Sequence, residues 1–206
     1  MIRIWGRLSS INVRKVVFTA QLLGVPFERI DAGGEFGVVR TPEYLSRNPN
    51  ALVPLLEDGD FVLWESNAIV RYLGARYGGD VFYPADLRTR FDAERWMDWQ
   101  QTTLNGAGRD AFIQLVRTPP DRRNAAAAQA SADATEPLWD LLDRHLQGRA
   151  FMAGDALTIA DVPIACERHR WAGLPLPHPA RPHLDAWYAR MLQRPAARGV
   201  LDLPLS

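Results

Sequence analysis

The 206-residue chain predicts an α/β domain of βαβαββα order followed by an all-α domain. Short apolar runs bounded by turn residues alternate with helix-period stretches up to about residue 79. Past Pro84 the strand signals stop, and long Ala/Leu-rich helical stretches take over. The expected domains are residues 1–79 and 86–206.

Met1 to Trp5 reads as a strand ending at Gly6. Ser9-Ser10-Ile11-Asn12 leads into a helix with the apolar stripe Val13, Val16, Val17, Ala20 and Leu23; Gly24 stops it and Pro26 follows. Phe27 to Ile30 is the next strand, and a strand–helix–strand unit implies a parallel pair. Asp31 to Arg40 is a Gly-rich loop. Thr41-Pro42-Glu43 opens a helix, with Thr41 as cap and Pro42 at the first helical position. Asp58-Gly59-Asp60 turns one strand into Phe61-Val62-Leu63-Trp64, a hairpin, and a helix starts at Ser66, whose side chain is expected to cap it. The sum is a mixed four-stranded sheet with helices on its faces, the thioredoxin-like pattern.

In the second half, Leu87 to about Leu104 is helical, with Asn105-Gly106-Ala107-Gly108 as an expected bend. Arg122 to Leu146 is a long helix that Pro137 is expected to kink or split. Thr158-Ile159-Ala160-Asp161 is a capping box, so Asp161 is read as structural. Pro163 is expected to bend the helix that follows. A final helix runs from about Pro182 to Gln193.

Composition excludes more than it selects. With 24 basic and 24 acidic residues the formal net charge is zero, which gives no pull towards nucleic acid or a membrane surface. The single cysteine, Cys166, excludes an intrachain disulfide and a C-x-x-C redox pair. Four histidines, at 145, 169, 178 and 183, show no metal-ligand spacing, so no metal is expected. His169 is placed on a solvated, Arg-rich helix face with Arg168 and Arg170. No leader opens the chain and no apolar run approaches about 18 residues, so a cytoplasmic protein is expected.

The informative stretch is Ala51-Leu52-Val53-Pro54-Leu55-Leu56, answered by Trp64-Glu65-Ser66-Asn67. Proline donates no ladder hydrogen bond, so the strand is expected to begin after a bend at Pro54, for which a cis bond is one route, leaving the Val53 main chain for an extended peptide ligand. A helix N-terminus attracts a carboxylate, and Glu65 beside it attracts an amine. Together they suit the head group of an α-amino acid.

Asn48 through Leu56, then Glu65 through Leu73, strongly resembles the N-terminal domain of soluble glutathione transferases, and the likeness extends over essentially the whole chain. The resemblance implies that Val53, before a cis Pro54, pairs its main chain with the cysteinyl part of glutathione, while Glu65 and Ser66 hold the γ-glutamyl head. It further implies a homodimer with Arg71 at its interface, and glutathione as co-substrate in a detoxification enzyme. Many members use a Tyr, Ser or Cys in the first strand-to-helix turn, where this chain has no Tyr or Cys; serine-type members place the hydroxyl just ahead of the first helix, which matches Ser10 best and Ser9 second. A bacterial group pairs Ser or Thr with an Asn two residues on, as Ser10 and Asn12 are spaced here. Such groups stabilise a thiolate, whose unperturbed pKa is about 8.5. Arg40 and Lys15 are candidates for the glycine carboxylate. Trp96, Trp99, Arg109, Phe112 and Trp171 are candidates for lining a second-substrate pocket that takes a small apolar electrophile or a disulfide. The activities in view are glutathione transfer, glutathione-dependent disulfide reduction, and a non-catalytic binding or scaffold role.

Overall fold

A computed structural model describes residues 1–206. Strands β1 (Ile2–Trp5), β2 (Phe27–Ile30), β3 (Leu55–Asp58) and β4 (Phe61–Trp64) form one sheet in the order β2-β1-β3-β4. β1 and β2 are parallel, with Ile2 opposite Phe27; β3 runs antiparallel to both β1 and β4. The helix between the parallel strands is α1 (Ile11–Leu22); α2 (Pro42–Leu45) precedes the bend, α3 (Ser66–Tyr77) follows β4, and a short α4 spans Gly79–Phe82. A 3-10 turn at Gly34–Phe36 occupies the loop after β2.

Strand alternation sorts the side chains onto two faces. Ile2, Ile4 and Leu56 are buried on one, the face that α1 and α3 cover. Arg3, Trp5, Leu55 and Glu57 share the other, in register as Arg3 opposite Glu57 and Trp5 opposite Leu55. There Tyr44 of α2 packs with Ala32 and Leu55, and Trp5, Val39, Val53 and Val62 border the cluster. With only four residues, α2 has no stability of its own. Thr41 caps it by accepting from Tyr44 N–H at 3.3 Å. Arg47, just beyond α2, ion-pairs with the buried Glu57 and lies over the Trp5 ring, 4.8 Å from its centre. Burial would raise the Glu57 carboxyl, but the Trp5 and Arg47 side chains, with the Arg3 charge, outweigh it and hold the carboxyl below its ordinary value.

The first unit ends at Tyr83, past the expected residue 79, because α4 belongs to it. The second, Pro84–Ser206, contains α5 (Leu87–Trp99), α6 (Asn105–Phe112), α7 (Ala125–Leu146), α8 (Asp161–Ala172) and α9 (Pro182–Leu192). Two π-helical turns, Gln100–Leu104 and Ile113–Arg117, flank α6. The irregularity expected at Gly106–Gly108 thus falls before and after it. Gly108 instead admits the Trp171 ring, 3.2 Å from where a Cβ would stand. Pro137 does not split α7: the helix is continuous over 22 residues, its Trp139, Leu142 and Leu146 buried. That burial outweighs the one lost hydrogen bond. The face of α8 expected to be solvated is not. Arg170 is buried, bonded to Glu167 and Asn105, and Arg168 donates to Asp185 at 2.9 Å.

Asp161 is fully buried. One carboxylate oxygen accepts from Met152 N–H at 2.9 Å and Trp187 Nε1 at 2.8 Å, and the other from Thr158 N–H at 2.9 Å. The carboxylate bond to Thr158 N–H expected of the box is therefore present, with two tertiary bonds added, but Ala160 rather than Thr158 is the N-cap of α8 and no side chain caps it. Burial raises the Asp161 carboxyl above its ordinary value, against the pull of these hydrogen bonds.

Ala51 is held at φ 55°, closing the turn in which its N–H donates to Asn48 C=O at 3.2 Å. A side chain there costs about 1–2 kcal/mol, partly offset by the extra unfolded-state freedom of glycine. Ala51→Gly is expected to raise unfolding free energy in urea by about 0.5–1 kcal/mol; unchanged stability would show that the turn carries no strain. Asp161→Ala strands three buried N–H groups, each worth about 1–3 kcal/mol. The expected loss is at least about 3 kcal/mol, and a loss under about 1 kcal/mol would show that the carboxylate is not the anchor of α8.

Candidate active site

Pro54 brings no N–H to a ladder, so β3 begins only at Leu55, and the Val53–Pro54 peptide bond is cis. The main chain on the two sides of the bend is treated oppositely. Leu52 C=O accepts from Tyr44 hydroxyl at 2.7 Å and from Asn48 Nδ2 at 2.8 Å. No hydrogen bond of the chain engages the N–H or C=O of Val53. Tyr44 is fully buried; burial pushes its hydroxyl up to about 12, beyond what the Asn48 hydrogen bond and the Arg47 charge take off. It therefore remains a neutral donor at physiological pH. Asn48 Oδ1 accepts from Asn50 N–H at 3.1 Å, completing the loop.

Across from the bend, β4 ends at Trp64 and α3 begins at Ser66. Glu65 between them stands at φ 71° and ψ 112° and makes no capping bond. A non-glycine residue held there stores on the order of 1–3 kcal/mol, the kind of strain found at ligand sites. Ser66 is the first helical residue rather than the cap, which corrects its expected role. Its hydroxyl is left without a bond in the chain, beside the free N–H groups of the first turn. The Glu65 carboxylate and the positive helix end stand side by side.

A pocket opens between these two segments, lined by Asn12, Asn48, Asn50, Leu52, Val53, Pro54, Trp64, Glu65 and Ser66. Five of the residues named from sequence meet there: Asn12, Val53, Pro54, Glu65 and Ser66. Asn12 Oδ1 is buried without a hydrogen-bond partner. Ser10 lies outside the lining, as the N-cap residue of α1 at φ −86° and ψ 122°. Its carbonyl accepts from Arg14 N–H, but its hydroxyl makes no capping bond. Arg40 is exposed and also outside the lining. Lys15 is fully buried on α1, which removes it as a surface cation.

The candidate pocket-wall residues of the helical unit divide. Trp96, Phe112 and Trp171 are core residues: Trp96 packs on Trp99 and on His145, 4.3 Å from that ring, and Trp171 donates to Glu136 at 3.1 Å. Arg109 is exposed. Sequence reading assigned no role to Tyr44, Asn50 or Trp64. Tyr44 carries no local signal, since its value lies in reaching Leu52 across the loop. No group of three or more His, Cys, Asp or Glu side chains is placed to hold a metal ion, and no helix is long and apolar enough to cross a membrane.

Comparison with known proteins agrees with this architecture. Residues 1–75 match the glutathione S-transferase N-terminal domain and residues 108–195 its C-terminal domain. The chain is 43% identical over 208 residues to glutathione S-transferase GstB of Escherichia coli, covering all of both. It is 30% identical to glutathione S-transferase 3 of Zea mays, covering 99% of this chain and 95% of the other. The crystal structure of the theta class glutathione S-transferase of Xanthomonas axonopodis pv. citri, with glutathione bound, superposes with a TM-score of 0.95 at 41% identity, covering 100% of this chain and 99% of that one. The chain with the unclaimed Val53 main chain and the Glu65–Ser66 corner belongs to the glutathione S-transferase family of glutathione-dependent enzymes.

Proposed function

We propose that the chain binds reduced glutathione in the Val53–Ser66 pocket and activates its thiol for attack on an electrophile. The observation that carries this reading is the pairing of an unengaged Val53 main chain with Glu65 and the start of α3 in one pocket. An extended tripeptide supplies the missing main-chain bonds to Val53. Its γ-glutamyl amine pairs with Glu65, and its α-carboxylate takes the Ser66 hydroxyl and the α3 amides. Pro54 keeps a further strand residue from occupying the cysteinyl place.

Ser10 and Asn12 act on the sulfur. A free hydroxyl and an amide at the start of α1 donate to the thiolate, and the helix end adds positive potential. The pocket lining contains one charged side chain, Glu65, so the amino end is fixed by charge and the thiol end by hydrogen bonds. Arg40 is assigned to the glycine carboxylate. The electrophile is small and apolar, held by the helical domain over residues 86–206. The enzyme works as a cytoplasmic homodimer with Arg71 at the interface.

Glu65→Ala is expected to raise the glutathione Kd roughly tenfold to a hundredfold in calorimetry; an unchanged Kd would remove the γ-glutamyl group from Glu65. Ser10→Ala is expected to lower kcat/KM with chlorodinitrobenzene by about a hundredfold while Kd stays nearly constant. Turnover of a glutathione mixed disulfide without chlorodinitrobenzene turnover would reassign the enzyme as a disulfide reductase. Binding without either turnover would make it a binding protein.

A further inference from the structure

Arg7 has no part in the site as described, yet its surroundings are built around its side chain. It sits in the turn between β1 and α1, its N–H donating to Ala32 C=O at 3.2 Å and its C=O accepting from Ser10 N–H at 3.1 Å. The side chain runs over Gly33 and Gly34. A Cβ at Gly34 would stand 2.8 Å from Arg7 Nε and 3.0 Å from Cζ; one at Gly33 would stand 2.7 Å from Nη1 and 3.3 Å from Val53 Cγ1. The guanidinium tip and Val53 therefore converge on the same glycine. Both glycines also hold positive φ, 76° and 61°, so side chains are disfavoured there by conformation as well as by space.

The other cations at this turn are committed. Arg14 Nε donates to Leu8 C=O at 2.6 Å. Arg29 donates to Gly6 C=O at 3.0 Å and ion-pairs with Asp31. Lys15 is buried on α1, and Glu35, one residue past Gly34, is exposed and forms no ion pair with Arg7. Arg7 is half-buried, and no carboxylate or carbonyl of the chain accepts from its guanidinium. Partial desolvation of a cation without an internal partner is unfavourable unless an anion arrives from outside.

We propose that Arg7 is the cation that keeps the bound glutathione thiol ionised, its guanidinium facing the sulfur from between the Ser10 turn and Val53. The inference rests on the reading that glutathione lies along Val53. Ser10 and Asn12 are neutral donors, Glu65 carries the opposite sign, and the Arg29–Asp31 pair cancels. Arg7 is thus the half-buried cation without an internal partner on the Val53 side of the site, whereas Arg40 is exposed. A unit charge within about 4–6 Å displaces a pKa by about 1–3 units, and partial exposure places this case at the low end.

The test is a pH titration of ultraviolet thiolate absorbance in the glutathione-saturated enzyme, paired with calorimetry of S-methylglutathione, whose sulfur bears no charge. Arg7→Gln is expected to raise the bound thiol pKa by about one unit and to leave S-methylglutathione affinity within about twofold. Arg7→Lys is expected to restore most of the shift. Gly33→Ala, which displaces Nη1 without removing it, provides a second variant should Arg7→Gln fail to fold, and is expected to raise the pKa in the same direction. An unmoved thiol pKa in the folded variants overturns the proposal. If S-methylglutathione affinity falls at the same time, Arg7 holds the glycine carboxylate instead. Wild-type enzyme that binds no S-methylglutathione overturns the glutathione reading itself, and the role of Arg7 with it.

Discussion

The site depends on how hydrogen bonds are shared out around Pro54. Leu52 C=O receives two donors from inside the domain, Tyr44 and Asn48, whereas Val53 receives none. Main-chain polar groups seek partners, so satisfying one side of the bend and leaving the other keeps the Val53 N–H and C=O available, which is the feature the proposed function uses. The arrangement is as firm as α2, which carries Tyr44. That four-residue helix is secured by the Thr41 cap, by Tyr44 against Leu55, and by Arg47 on Glu57 and Trp5. Contacts of α2 on the sheet thereby fix the orientation of the Leu52–Pro54 bend.

The buried charges of the helical unit and the polar groups at the pocket contrast. In the helical unit the buried charges are answered from within. Asp161 takes three N–H donors, and Arg181 donates to Glu136 and Asp140. Glu167 is bonded by Gln100 and Arg170, and Arg170 reaches Asn105 at the end of the first π-helical turn. Such networks are costly to break at one member because the remaining partners stay buried. Here they also hold a π-helical turn, a wider, under-wound form that packing must support. In the first unit several polar groups have no partner in the chain: Asn12 Oδ1 and the Ser66 hydroxyl at the pocket, and the Ser10 hydroxyl and Arg7 guanidinium near it. Together with the φ of Glu65, this concentrates local cost around the pocket.

Much was legible from local chemistry. Asp58-Gly59 between two apolar runs is a hairpin turn wherever it occurs, and β3 and β4 pair as Asp58 opposite Phe61. Thr41-Pro42 at a helix start and the Thr158–Asp161 box act within a few residues of themselves, so neighbours in sequence suffice to read them. The Val53-Pro54 and Glu65-Ser66 pairs were equally readable, because proline and a helix start impose their constraints on adjacent residues.

Long-range packing decided the remainder. Pro137 inside α7, the π-helical turns around α6 and the burial of Arg170 all run against local propensity, and each is settled by partners far along the chain. Lys15 and Arg7 are both cations near the first turn, yet one is enclosed on α1 and the other meets Val53 over two glycines. The amino-acid order by itself determined the main strands and helices, their βαβαββα succession and the Val53–Pro54 and Glu65–Ser66 pair of segments, since these follow from periodicity and turn chemistry. Only the tertiary structure decided which polar groups remain unpartnered, because pairing depends on distances between residues that sequence separation does not encode.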